Sequence, residues 1–292
     1  MTPTRIPSTA FDDAWIQVDR TEDPGFFVQL LDATRVELLE RARRSPVDFF
    51  APVEIRSGHR VLDVGCGTGD FLRALAPLAA PGGVVGIDLS ETMIAEAERR
   101  QIGESANASF RVGDALALPF ESDSFDRIVA TQVLLHIPDP WAALAEMCRV
   151  LAPAGLVAFG EIDWGTVAVE CTDRELGRRF TRLACDELRN GLIVRELPFR
   201  LRAAGFDRVS IMPEVNVALS PDGFHRWFIE PSMSHFKRIG AFSDAEAEFF
   251  LNDLQERMSQ GRYFCSRTYY SIVGSRSSES CNQPSGTTGR IV

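Results

Sequence analysis

The sequence predicts an α/β fold in which helices cover both faces of a mainly parallel sheet. Three observations carry that expectation. Short, β-branched apolar runs alternate with amphipathic stretches of helical length between residues 60 and 162; the first run breaks into three closely spaced glycines; and acidic residues close successive runs. Strands separated by helices are joined by crossovers, which are right-handed within one sheet and leave the strands parallel.

The elements follow in order. The first 20 residues hold Pro3 and Pro7 and no periodic pattern. From Gly25 to Arg44, Phe27, Leu30, Leu31, Val36 and Leu39 recur at helical spacing and predict one amphipathic helix. Residues 1–50 are therefore expected to form a helical cap. Arg60–Val64 (RVLDV) is expected as a buried strand, Phe71–Leu78 as a helix, and Val84–Asp88 (VVGID) as the second strand. Ser90 is placed to cap a helix reaching Gln101. Phe110–Val112 and Asp126–Thr131 supply strands three and four. Asp139 and Pro140 mark a helix start, a capping side chain followed by a ring at the first helical position. After the turn at 152–155, Leu156–Ile162 is the fifth strand.

Beyond Asp163 the regularity changes. Helices are expected over Asp173–Arg189 and Val194–Ala204, with strands at Arg208–Met212 and Thr268–Val273 (TYYSIV). Residues 222–260 read as a helical insert rich in phenylalanine within a domain spanning 51–275. The tail, 276–292, is Ser-, Gly- and Thr-rich and is expected to be disordered.

Composition narrows the function. The chain has 292 residues, 45% hydrophobic and 25% charged, with a formal net charge of −10. That balance disfavours nucleic acid as a partner, since a polyanion-binding face clusters Lys and Arg, and Arg41, Arg43 and Arg44 make only a short basic run. No apolar stretch approaches the roughly 18 residues of a membrane span, and the N-terminus lacks the features of a secretory signal. The six cysteines form no CxxC and no metal-like spacing. They are expected to be reduced thiols in a cytoplasmic protein without a metal site.

The most informative segment is VLDVGCGTGDF, 61–71. Gly65, Gly67 and Gly69 follow a strand and precede a helix, where glycine permits a sharp turn and lets a ligand approach the main chain. A tight structural turn has the same pattern. The spacing is GxGxG, however, whereas a dinucleotide fingerprint carries its third glycine one position later, where this chain has Asp70. Asp88 ends the second strand, suited to the two hydroxyls of a ribose, and Asp114 follows the third, suited to the exocyclic amine of an adenine. Such a site takes a cationic nucleoside and makes little provision for phosphate.

At this point the chain resembles class I S-adenosylmethionine-dependent methyltransferases, in the branch that includes ubiquinone and menaquinone biosynthesis enzymes and many natural-product methyltransferases. The likeness covers residues 57–163 and rests on VLDVGCGTG, VVGIDLSETMI, GDALALPFESDSFDRIVATQVLLHIPDP and RVLAPAGLVAFGEID. It implies a Rossmann-like seven-stranded sheet whose final strand is antiparallel, which TYYSIV fits. It also implies S-adenosyl-L-methionine as cofactor. Asp63, Gly65 and Gly67 would cradle its methionine portion, Asp88 its ribose, Leu89 and Met93 its adenine face, Asp114 and Ala115 the adenine edge, and Thr131 and Gln132 would lie beneath the amine. Asp63 also fits a loop-stabilising role, and Met93 a plain core position.

Methyl transfer is an in-line displacement that needs alignment and exclusion of water, and a base only where the nucleophile holds its proton tightly. His136, after the fourth strand, is the candidate base, or a packing residue. Glu161 and Asp163, at the end of the fifth, are candidates to bind substrate or orient His136, or to cap backbone. The expected acceptor is a small molecule, a secondary metabolite or quinone-like compound, methylated at O, N or C. Specificity is expected from Trp15, Phe26 and Phe27 and from the aromatic insert, whose rings would otherwise pack on the sheet or make a homodimer contact. Two rival functions remain: a cofactor-bound cyclisation or rearrangement, and a non-catalytic binding subunit.

Overall fold

A computed structural model of the protein describes residues 11–101, 107–221 and 223–276. All but the first residue of the tail expected to be disordered lies outside them. The chain opens with helices α1 (Phe11–Trp15), α2 (Pro24–Thr34), α3 (Val36–Arg44) and α4 (Pro46–Phe49). It continues β1 (Val61–Val64), α5 (Asp70–Ala79), β2 (Val84–Asp88), α6 (Glu91–Gln101), β3 (Ala108–Val112), β4 (Phe125–Thr131), α7 (Pro140–Val150) and β5 (Leu151–Val169). The last part holds α8 (Arg174–Asp186), α9 (Ile193–Ala203), β6 (Arg208–Ala218), α10 (Glu230–Arg238), α11 (Asp244–Ser259) and β7 (Cys265–Ser275). A five-residue π-helical turn, His225–Ile229, leads into α10.

The seven strands form one sheet in the order β3-β2-β1-β4-β5-β7-β6. β1 to β5 run parallel, while β7 is antiparallel to both β5 and β6. All four residues of β1 are buried, as expected of a central parallel strand covered on both faces. Leu62 is fully buried, and truncating such a residue to alanine costs about 2–5 kcal/mol. Sequence order reverses between β1 and β4, and in open parallel sheets the crevice outside that switch point is where ligands sit.

Local signals account for most helix starts. Asp139 accepts the Ala142 N–H at 2.9 Å, Ser90 Oγ accepts the Met93 N–H at 3.2 Å, and Ser243 and Glu246 complete a capping box on α11.

One expected helix is two. The stretch read as a continuous helix from Gly25 to Arg44 breaks at Arg35, which caps α2 with its N–H on the Leu31 carbonyl while its own carbonyl receives the Leu39 N–H. No glycine or proline marks the break. Thr34 Oγ1 instead bonds back to the Leu30 carbonyl at 2.7 Å, a competition with the backbone that bends helices. Strands β5 and β6 also extend beyond their expected ends, because pairing with β7 continues to Val169 and Ala218. Among the described residues no helix is long and apolar enough to cross a membrane.

Candidate active site

The glycine loop leaves the end of β1 and is clasped to β2: Gly65 and Cys66 both donate their N–H to the Ile87 carbonyl, at 2.7 and 3.0 Å. Glycine is required at two positions for identifiable reasons. At Gly65 (φ 69°) an added Cβ would lie 2.4 Å from Val133, and at Gly67 (φ 53°) it would press on Leu31 at 3.0 Å. The loop therefore fits between the β4 loop on one side and α2 on the other.

A cavity of about 250 Å³ opens above it, lined by Gly65, Gly67, Asp88, Leu89, Met93 and Asp114, with Ala115 and Gln132 also in its wall. Asp88 Oδ2 accepts the Gly67 N–H at 2.8 Å and Oδ1 the Ser90 N–H at 3.0 Å, so the carboxylate is aimed before any ligand arrives. Burial pushes its pKa up against the pull of those two N–H groups. Asp114 Oδ1 accepts the Leu116 N–H at 2.8 Å. Asp63 is buried and does not line the cavity; burial raises its carboxyl to about 7, opposed by the nearby Arg35 guanidinium and reinforced by Asp88.

Residues from the cap complete this cavity. Trp15, Val18, Leu31 and Arg35 form part of its wall. Asp19 anchors that wall by capping α6 from outside the helix, accepting from Ser90 Oγ (2.8 Å), Glu91 N (2.7 Å) and Thr92 N (3.0 Å). Arg35 is under-satisfied. Its Nη2 reaches the Thr131 carbonyl only at 3.5 Å, and its buried Nε finds no acceptor among the described residues. Sequence reasoning missed Arg35 and Asp19. Each is one charged residue among others in a stretch without a motif, and its role comes from a contact with a distant element.

A second cavity of about 170 Å³ adjoins the first. Trp15, Leu31, Arg35, Gln132 and His136 line both. Gln132 is held at this junction in a left-handed conformation (φ 55°) by its N–H bond to the Gly160 carbonyl at 2.7 Å. His136 stacks on Trp15 with ring centroids 5.3 Å apart. Thr131 lines neither cavity, and its carbonyl faces the Arg35 guanidinium at 3.5 Å. The rest of the second cavity comes from the far half of the sheet and the insert: Trp164, Phe224, Trp227, Phe228, Arg267 and Tyr269 among others.

The aromatic insert divides its labour. Phe224, Trp227 and Phe228 line the cavity, whereas Phe236, Phe242 and Phe250 are buried in the core and Phe249 is exposed. In the cap, Trp15 lines both cavities while Phe26 and Phe27 pack behind it.

Glu161 and Asp163 are brought to neither cavity. Glu161 is fully buried, and its Oε1 accepts the Val133 and Leu134 N–H groups at 3.0 and 2.9 Å. Burial raises its carboxyl to about 8 in spite of those bonds. Asp163 is taken by a two-point pair with Arg195, at 2.9 and 3.0 Å, and by the Gly165 N–H. Of the roles read from the sequence, contact with substrate or His136 and capping of backbone, the geometry fits backbone capping for Glu161, while Asp163 is paired with Arg195; strand alternation and the bulge after Asp163 turn both side chains to these partners.

Comparison with known proteins agrees with this geometry. Residues 55–196 match the family described as a methyltransferase domain. The chain is 39% identical over 167 residues to an uncharacterized 37.1 kDa protein in transposon TN4556 of Streptomyces fradiae, covering 56% of this chain and 48% of that one. It is 42% identical over 116 residues to demethylmenaquinone methyltransferase of Staphylococcus aureus, covering 39% of this chain and 48% of that protein. The chain thus spans about half the length of the curated relatives it matches. In fold it is similar to the YcgJ protein of Bacillus subtilis (TM-score 0.55, 21% identity, 82% of this chain and 99% of that one). It is similar also to phosphoethanolamine N-methyltransferase 2 of Haemonchus contortus, solved with phosphomonomethylethanolamine and S-adenosylhomocysteine (TM-score 0.55, 17% identity, 92% and 61%). Residues 55–196 thus match a methyltransferase domain in sequence, and the fold around them is similar to that of solved methyltransferases.

Proposed function

We propose that the protein is an enzyme that transfers a methyl group from S-adenosyl-L-methionine to an O, N or C nucleophile of a small organic acceptor, of the secondary-metabolite or quinone-like kind. The observation that carries the reading is the pair of adjoining cavities. The first is built from the glycine loop and strand-end acids, the second from aromatic rings, and they meet at Gln132 and His136. The partial identity to a demethylmenaquinone methyltransferase favours a ring-bearing acceptor.

The residues of the first cavity fit the cofactor. A zwitterionic amino-acid end needs an anion and a cation close together; the under-satisfied Arg35 lines the cavity beside Gly67, and Asp63 lies near it, buried behind the cavity wall. Arg35 would receive the carboxylate, Asp88 the ribose hydroxyls and Asp114 the adenine edge. When bound, the cofactor supplies a methyl on a positively charged sulfur, a group that leaves without protonation. The chain's own work is then alignment. Gln132 and His136 hold the junction, Trp15 fixes the plane of the imidazole, and the cap excludes water. For a hydroxyl acceptor, the neutral imidazole of His136 takes the departing proton. Glu161 is a positioning residue, holding the β4 loop that carries both junction side chains.

The test is incubation with labelled S-adenosylmethionine and candidate acceptors. A product heavier by one methyl supports the reading. Tight cofactor binding with an isomerised, unmethylated product would favour a cofactor-bound rearrangement instead.

A further inference from the structure

The second cavity has in its wall a hydrogen-bond donor with nothing to donate to. Trp164 lies on β5 where pairing with β7 is interrupted by the bulge after Asp163, and its backbone N–H is tied to the Gly191 carbonyl at 3.1 Å. The residue is 8% exposed, and it lines the second cavity but not the first. Its ring packs against Phe228 and Phe224, with centroids 4.6 and 5.9 Å away. Tryptophan carries one polar side-chain atom, the indole Nε1–H, which can only donate. Here that N–H is buried and finds no acceptor among the described residues. Buried indole N–H groups usually have a partner, because a donor taken out of water and left unpaired forfeits the bond it gave up. An aromatic ring without the N–H would build the same flat wall at no such cost.

We propose that Trp164 is a specificity-determining residue, and that its indole N–H receives a carbonyl oxygen borne by a planar, uncharged ring of the acceptor. This rests on the reading of the two cavities given above. Shape selects the ring: Trp164, Phe224 and Phe228 make a flat wall. The cavity's volume of about 170 Å³ is slightly more than the ~150 Å³ of an engineered cavity that takes up benzene. The surroundings of the indole select the oxygen. Phe224 and Phe228 are buried and apolar, as are Leu135, Ile162 and Leu188, which share the cavity wall. A carbonyl oxygen accepts a hydrogen bond and brings no hydrogen of its own, so it satisfies the indole and leaves nothing unpaired. A hydroxyl in its place would carry a donor into an apolar wall, and a carboxylate a charge, and burying either without a partner is costly.

The experiment uses the full chain saturated with S-adenosylhomocysteine, its indole nitrogens isotope-labelled for NMR. The probes are acetophenone and α-methylstyrene, which share a shape and differ in carrying an oxygen or a methylene on the same carbon. Acetophenone should move one indole proton downfield, the one missing from the spectrum of Trp164→Phe, and α-methylstyrene should leave it in place. By equilibrium dialysis, Trp164→Phe should weaken acetophenone roughly three- to tenfold, the range of a net neutral hydrogen bond, and leave α-methylstyrene about as before. A merely structural role moves both probes together. Equal losses for the two probes, or acetophenone bound without the indole shift, would overturn the proposal. Should Trp164→Phe fail to fold, an indole shift in the unmodified protein, given by acetophenone and not by α-methylstyrene, decides. Binding of S-adenosylhomocysteine without either probe sinks this proposal alone; failure of S-adenosylhomocysteine to bind sinks the underlying reading as well.

Discussion

The two cavities share a wall but are made differently. The first takes its polar groups from the ends of consecutive strands: Gly65 and Gly67 after β1, Asp88 at the end of β2, Asp114 after β3 and Gln132 after β4. Its key bonds are short and largely to backbone, such as Gly67 N–H to Asp88 at 2.8 Å. The second takes its walls from the cap, β5, the insert and the β6–β7 pair, which lie far apart in the chain. A site made of strand ends is inherited with the sheet, while one made of side chains from distant segments can change without disturbing the fold. On the function proposed above, the first cavity would hold the shared cofactor and the second the acceptor particular to this protein.

His136 stands where the two meet, and removing it should have the largest effect. For a hydroxyl acceptor, His136→Ala should lower kcat by roughly 10²–10⁴-fold while leaving cofactor affinity nearly unchanged. Rates and calorimetric binding measured on the same preparation check the split. A normal kcat on the true acceptor would make His136 a packing partner of Trp15 and confine the chemistry to alignment.

Arg35 tests whether the cap belongs to the first cavity. Arg35→Gln should weaken S-adenosylhomocysteine by roughly tenfold to a hundredfold, the range for hydrogen bonds to a charged group at about 1.5–3 kcal/mol. Binding of 5′-methylthioadenosine, which lacks the carboxylate, should be unchanged. Equal loss for both ligands would show that Arg35 merely supports the glycine loop.

Asp88→Ala should cost about tenfold or more in S-adenosylmethionine affinity through lost charge-assisted bonds. Unchanged calorimetric affinity would break the assignment of the ribose to this strand end.

The smallest effect concerns Glu161, which supports the junction from below. Its folded carboxyl is raised to about 8, well above the ordinary value near 4.3, so the folded protein holds this proton more tightly than the unfolded chain does. The associated stability is fully present below about pH 4 and is lost as pH rises through about 8. Glu161→Gln should therefore flatten the fall in melting temperature between pH 6 and 9 in the ligand-free protein. A parallel fall in both proteins would assign the pH dependence to another group.

Much of this was written in local pattern. Glycine spacing, strand-end acids and caps at Ser90 and Asp139 act over a few residues, so they can be read directly, and β2 ends where its sequence pattern ends. The break at Arg35 was not legible, because a threonine hydroxyl bonding backward leaves no glycine or proline behind. Nor were the roles of Glu161 and Asp163. A carboxylate at a strand end looks the same whether it meets a ligand, the backbone of Val133 and Leu134, or the guanidinium of Arg195.

The sequence by itself determined the parallel sheet, its glycine loop and the acids around it, because periodicity and turn chemistry are properties of neighbouring residues. Only the tertiary structure decided which aromatic rings of the insert face a cavity and which fill the core, and that side chains from β6 and β7 line the second cavity together. Those outcomes depend on strand register and on the approach of elements far apart in the chain, where a shift of one residue would turn every side chain to the opposite face.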